Sequence, residues 1–319
     1  NIKPNPTIEN VQSGVEAYKK AEADYIIAIG GGSSMDTAKA VGIIIANPEH
    51  ADVISLEGAV DTKNKAVPIF AVPTTAGTAA EVTINYVITD TQKNRKMVCV
   101  DPHDIPAIAI VDAELMYTLP KGLTASTGLD ALTHAIEGLI TKGAWEMSDM
   151  FEIKAIEMIA RYLETAVFEP TNAEARNGMA VAQYIAGMAF SNVGLGVVHG
   201  MAHPLGAIFD IPHGVANALL LPVIMEFNVP AALPKYVDIA KAMNVYKDGM
   251  SQEEAAKAAV EAVKALSVKV GIPQHLSELG IKEEDLPRLA ASAIADVCTP
   301  GNPREVTEEI ILELYKKAF

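Results

Sequence analysis

The chain holds only two cysteines, Cys99 and Cys298, far apart in its 319 residues. Two distant thiols exclude a disulfide framework and fit a reducing cytoplasm. Basic residues are few: 25 Lys and Arg face 40 Asp and Glu, for a net charge of −15. Nucleic acid is excluded as a partner on that count, because neutralising phosphates needs clustered cations. Long unbroken apolar runs are missing too. The most apolar regions are interrupted by Gly, Pro, His or Asp, so no membrane-spanning helix is expected. No secretion signal is visible. The chain starts at Asn1 in mid-pattern, so further strand–helix units of the first domain are expected to precede it.

Half of the residues are apolar, ample for packed cores, and the length favours two domains. The first third alternates strand and helix patterns. A helix follows Thr7, with Ile8, Val11, Val15 and Tyr18 at helical spacing. "YIIAI" (Tyr25–Ile29) and "AVPIFAV" (Ala66–Val72) are expected as buried parallel strands, and "AIAIV" (Ala107–Val111) as another. "VTINYVIT" (Val82–Thr89) and "KMVCV" (Lys96–Val100) are expected as strands of a hairpin. "DTAKAVGIIIAN" is expected as a helix. After about Thr118 helical patterns follow one another, and Ser251 with Glu254 forms a capping box. The expected organisation is an α/β layer with a parallel sheet over residues 1–117, then an all-helical domain over residues 118–319.

Four stretches could carry chemistry. In "AIGGGSSMDTAKA", Gly30, Gly31 and Gly32 sit between a strand and a helix. Such a turn lets backbone approach a phosphate at the helix N-terminus. It departs from G-x-G-x-x-G, since Met35 takes the last glycine position, and Asp36 reads as a plain first-turn helix stabiliser. In "AVPTTAGTAAE", Thr74, Thr75 and Thr78 cluster just past a second strand, where parallel sheets bind ligands; a helix-capping turn would look similar. In "GLDALTHAIEG", Asp130 and His134 share a helix face at i, i+4, although Thr127 with Asp130 also suits a capping box. "VVHGMAHPLGAIFDIPH" supplies His199, His203 and His213, with the helical pattern expected to stop at Pro204. One carboxylate with two or three imidazoles suits Zn²⁺ or Fe²⁺. No Lys or Arg occurs from Asn177 to Pro234. A phosphorylated or carboxylated substrate would recruit such residues, so a small uncharged molecule is expected, shaped in part by Phe190.

The four motifs, in this order and spacing, resemble the iron-containing (group III) alcohol dehydrogenases. The likeness covers essentially the whole chain. It implies an N-terminal dinucleotide-binding α/β domain, a C-terminal all-α metal-binding domain in the dehydroquinate synthase-like architecture, and an active site between them. It implies Asp130, His134, His199 and His213 as ligands of Fe²⁺, with Zn²⁺ able to use the same set. His203 would be no ligand but a catalytic residue near the nicotinamide. Gly31, Gly32 and Ser33 would hold the NAD pyrophosphate. Thr74, Thr75, Thr78 and Lys96 would contact the cofactor, and Leu115 to Pro120 would border its adenosine side. The family string G-S-E after the threonines is replaced here by Ala79-Ala80-Glu81. The implied activity is reversible hydride transfer between NAD and a small alcohol or aldehyde in a cytoplasmic homodimer. A lyase of the dehydroquinate synthase type, which shares the architecture, is disfavoured by the gap in basic residues.

Overall fold

The computed structural model describes residue 2, residues 4–93 and residues 95–319. Helix α1 (Ile8–Lys20) starts where Thr7 accepts the Asn10 N–H, and it buries Val11 and Val15. Strand β1 (Ile26–Gly30) leads into α2 (Gly32–Ala46). A short β2 (Gly58–Ala59) and β3 (Ile69–Pro73) follow, then β4 (Asn85–Asp90), β5 (Arg95–Val100) and β6 (Ile108–Ala109). Strands β1, β3 and β6 form one parallel sheet, with Ile26 opposite Ile69. A second sheet has the order β2-β5-β4; β4 and β5 are its antiparallel hairpin. Within the hairpin turn, Asn94 lies outside the described residues.

Three strand expectations need correction. The parallel strand at Ile26–Gly30 is buried on one face only: α2 packs there, while Ile27 and Ile29 on the other face are 56% and 62% exposed. The strand expected from Val82 begins at Asn85. The preceding residues turn instead, with the Val82 N–H on the Ala79 carbonyl and the Lys39 ammonium taking the carbonyls of Thr83 and Asn85. The strand expected over Ala107–Val111 is in register with β3 only at Ile108 and Ala109, flanked by the Ala107 and Ile110 N–H groups on the Ile69 and Ala71 carbonyls.

The remainder is helical: α3 (Lys121–Ile140), α4 (Glu146–Phe168), α5 (Ala173–Val193), α6 (Val197–Phe209), α7 (His213–Ala242), α8 (Gln252–Val270), α9 (Leu286–Ile294) and α10 (Glu308–Ala318). The chain is thus an α/β part with a parallel sheet followed by a mostly helical part. Ser251 caps α8 through the expected box with Glu254. Helix α3 is buried along almost its whole length and packs against α4, α5 and α7. It is the central post from which the site is built. Helix α6 runs through Pro204 rather than stopping there. Helix α7 is long and apolar enough to cross a bilayer by length and composition, against the expectation that none would be. Its most apolar window is 56% buried inside the fold, and a non-helical Ala232 divides it.

Candidate active site

A cleft of about 660 Å³ lies where the glycine turn meets the helical part. Its α/β wall is the start of α2. Gly30 has φ +146°, a conformation that favours glycine, and a Cβ there would meet Ser34 Oγ at 2.3 Å. That turn lets α2 begin at Gly32; the N–H groups of Ser34 and Met35 reach the Gly31 carbonyl, which leaves those of Gly32 and Ser33 without a partner within the helix. Gly31, Gly32, Ser33, Thr75, Thr78 and Lys96 all line the cleft. Thr74 is not among the lining residues; its N–H donates to the Gly30 carbonyl at 2.8 Å and ties the two strand ends together. On the helical side Leu123, Ser126 and Thr127 face the cleft.

Asp36 is more than a helix stabiliser. It lines the same cleft, and burial pushes its carboxyl up to about 7, against the pull of Lys39, the Val87 backbone and Lys96. Across from it, Lys96 donates to Asn5 Oδ1 at 2.7 Å and Thr89 Oγ1 at 3.1 Å. Burial lowers the Lys96 amine to about 8, with Asp36 and Asp210 opposing.

The floor of the cleft belongs to α3, α6 and α7. Asp130 and His134 sit one turn apart on α3, well inside the helix. Thr127 donates its hydroxyl to the Leu123 carbonyl, so the capping-box alternative for Asp130 does not hold. His199 and His203 lie one turn apart on α6, and His213 opens α7. Gly214 permits the crossing: a Cβ there would stand 2.5 Å from the Ser126 carbonyl oxygen and 3.4 Å from Asp130 Cβ.

One ligand atom from each of Asp130, His134, His199 and His213 falls within 4.8 Å of the others. His199 Nε2 and His134 Nε2 are 3.1 Å apart, and His213 Nε2 is 3.6 Å from Asp130 Oδ1. A tetrahedron with bonds of about 2.1 Å has edges of about 3.4 Å. Burial pushes His134 down, His199 well down and His213 to about 4, so all three rings are neutral with lone pairs available. Asn217 places Nδ2 2.7 Å from Asp130 Oδ1, 3.0 Å from His199 Nε2 and 3.1 Å from His213 Nε2, while its own oxygen has no hydrogen-bond partner among the described residues. The Asn217 amide has only two N–H groups for these three neighbours and does not reach His134, so a cation shared by all four residues satisfies what the amide cannot. One oxygen and three nitrogens fit Fe²⁺ or Zn²⁺.

Phe190 stacks on His134, with ring centroids 4.3 Å apart and planes 10° from parallel. His203 stands outside this set. Its Nδ1 lies 2.8 Å from Asp296 Oδ2, and it lines the cleft with Cys298. Desolvation works to raise the Asp296 carboxyl, but His203 and the Cys298 backbone outweigh it and hold it low. His203, Asp296 and Cys298 form a second group of converging donors.

Sequence reasoning passed over Asn217, Glu137 and Asp296. Asn217 is four residues after His213 and Glu137 three after His134, so helical spacing alone could have raised both. Nothing in the sequence around Asp296 points to His203.

The model described as "Fe-containing alcohol dehydrogenase family, C-terminal" matches residues 124–319, and "Iron-containing alcohol dehydrogenase" matches residues 1–113. Lactaldehyde reductase of Escherichia coli (strain K12) is 59% identical over 318 residues, covering 100% of this chain and 83% of that protein. The crystal structure of a 1,3-propanediol oxidoreductase superposes with a TM-score of 0.97 at 43% identity, covering 100% of this chain and 83% of that one. Sulfoacetaldehyde reductase from Bifidobacterium kashiwanohense, in complex with NAD+, gives a TM-score of 0.88 at 33% identity, covering 100% and 82%.

Proposed function

Because the chain belongs to the iron-containing alcohol dehydrogenase family, we propose that it moves hydride reversibly between NAD(H) and a small uncharged substrate, reducing lactaldehyde to 1,2-propanediol. The observation that carries this is one cleft holding both a phosphate-ready helix start and the four-residue ligand cluster. The 59% identical lactaldehyde reductase supports the substrate.

The α2 start at Gly31, Gly32 and Ser33 would receive the pyrophosphate on free N–H groups. Thr75, Thr78 and Lys96 would hold the rest of the cofactor along the cleft, and Thr74 would keep the two strand ends in place. Asp130, His134, His199 and His213 would hold Fe²⁺ or Zn²⁺, which supplies a Lewis acid for the substrate oxygen. NADH supplies the hydride, and the protein supplies orientation and exclusion of water. Phe190 and Leu195 form the apolar lining beside the cluster. His203 is anchored through Nδ1 on Asp296, which leaves Nε2 to pass a proton between the substrate oxygen and solvent. Lys96 is the only Lys or Arg along the cleft wall among the described residues, in keeping with an uncharged substrate.

The test is anaerobic NADH oxidation with lactaldehyde by the metal-stripped protein, before and after adding Fe²⁺ or Zn²⁺. Activity should be absent in the stripped protein and return with the ion. Turnover of another small aldehyde alone would keep hydride transfer and change the substrate. No turnover of any aldehyde, with NADH still bound, would overturn the reading in favour of a lyase.

A further inference from the structure

We propose that Glu137 is a positioning residue that sets the metal affinity of the cluster by fixing the tautomer and direction of His199. The inference rests on the metal reading given above and extends it to a residue outside the ligand set. Glu137 lies three residues after His134 on α3, so the post that presents Asp130 and His134 also presents this carboxylate to the start of α6. It is 1% exposed. Helix α6 begins after Gly196, which offers no side-chain cap. Glu137 caps the helix instead. Its Oε1 accepts the Val198 N–H at 2.7 Å, and its Oε2 accepts the His199 N–H at 3.3 Å. The same Oε2 lies 2.6 Å from His199 Nδ1.

Backbone N–H groups donate to both oxygens of Glu137, an arrangement that suits the ionised carboxylate, which only accepts, so Nδ1 carries the ring proton. Nε2 is then a bare lone pair, and it is the nitrogen that faces His134 Nε2 in the cluster. With no acceptor at Nδ1, the proton is free to sit on Nε2, where it must be lost before a cation can bind. Glu137 also makes three contacts with one helix end, so the two backbone bonds that cap α6 hold in place the oxygen on which the ring rests. Partners of this kind behind a ligating histidine typically govern metal affinity by one to two orders of magnitude.

Glu137→Gln separates this role from packing. It keeps the volume, and its carbonyl oxygen can still accept from α6, but its amide turns a donor toward Nδ1. The measurement is anaerobic calorimetric titration of the metal-free protein with Fe²⁺, and with Co²⁺ followed by its ligand-field absorption. E137Q should retain the wild-type circular dichroism and bind about 10- to 100-fold more weakly, with an altered Co²⁺ spectrum. Glu152→Gln is the control, since Glu152 is another fully buried acidic side chain and lies on α4 outside the cleft lining; it should bind as wild type does. Wild-type affinity in E137Q, or an equal loss in E152Q, would overturn the proposal. If E137Q does not fold, Glu137→Asp replaces it: the shortened carboxylate should also weaken binding, and unchanged affinity would overturn the proposal. Failure of the wild-type protein to bind either ion would sink the metal reading itself, and the proposal with it.

Discussion

Removing the Phe190 ring should destabilise the metal-free chain by about 3 kcal/mol. Phe190 is 3% exposed, and its ring lies flat on His134. Truncating a Phe inside a closed core costs about 3–5 kcal/mol, of which a part is the cavity left behind. Here one side of the ring borders a cleft that solvent can enter, so the void fills and the cavity part shrinks. The transfer of the ring contributes about 2 kcal/mol, and the stack on His134 about 1 kcal/mol more. Urea unfolding of metal-free Phe190→Ala, compared with wild type, reads the difference directly. Freed from the stack, His134 should also hold metal about tenfold more weakly, because a ligand that can leave its place must be re-ordered on binding. A loss under about 1 kcal/mol would refute the packing argument. Full stability loss with unchanged metal affinity would refute the claim that the ring holds His134 in place.

Three further outcomes follow from the site. His199→Ala and His213→Ala should each lose bound metal by elemental analysis while staying folded; stoichiometric metal in either would remove that residue from the ligand set. His203→Ala should keep its metal and lose about 10²- to 10⁴-fold in kcat, and loss of the ion instead would mean it is a ligand. Lys96 has its amine lowered to about 8, chiefly by burial. It is charged below that pH and neutral above it, so NADH affinity should fall about tenfold as pH rises through 8. Lys96→Met should bind weakly and show no such step by fluorescence titration, and a step of the same size in the variant would assign it to another group.

How much of this was legible in the sequence depended on whether a feature is local. Asp130 with His134, and His199 with His203, are pairs one helical turn apart, so periodicity exposes them. The glycine turn is visible because a strand, a turn and a helix are adjacent in the chain. Thr127 misled as a possible cap, since a helix start at Lys121 is set by the preceding Pro120 and loop. Pro204 misled as a stop: a proline removes one helical hydrogen bond without having to end the helix, and α6 runs on to Phe209. The buried face expected of Tyr25–Ile29 failed because continuous apolar sequence does not say which elements cover each side of a sheet. The late start of β4 turns on Lys39, buried 44 residues earlier in the chain and bound to the Thr83 carbonyl. Asp296 meets His203 across 93 residues, a contact that no local pattern carries.

In the proposed reaction a nicotinamide in this cleft gives its hydride to a small aldehyde at the histidine cluster. The measurement that tests it most directly is turnover of lactaldehyde by the Fe²⁺-loaded protein with NADH deuterated at the transferable position. The expected product is 1,2-propanediol carrying that deuterium on C1, formed in step with NADH loss and abolished in His199→Ala. Product without the label, or labelled product formed undiminished by His199→Ala, would contradict it.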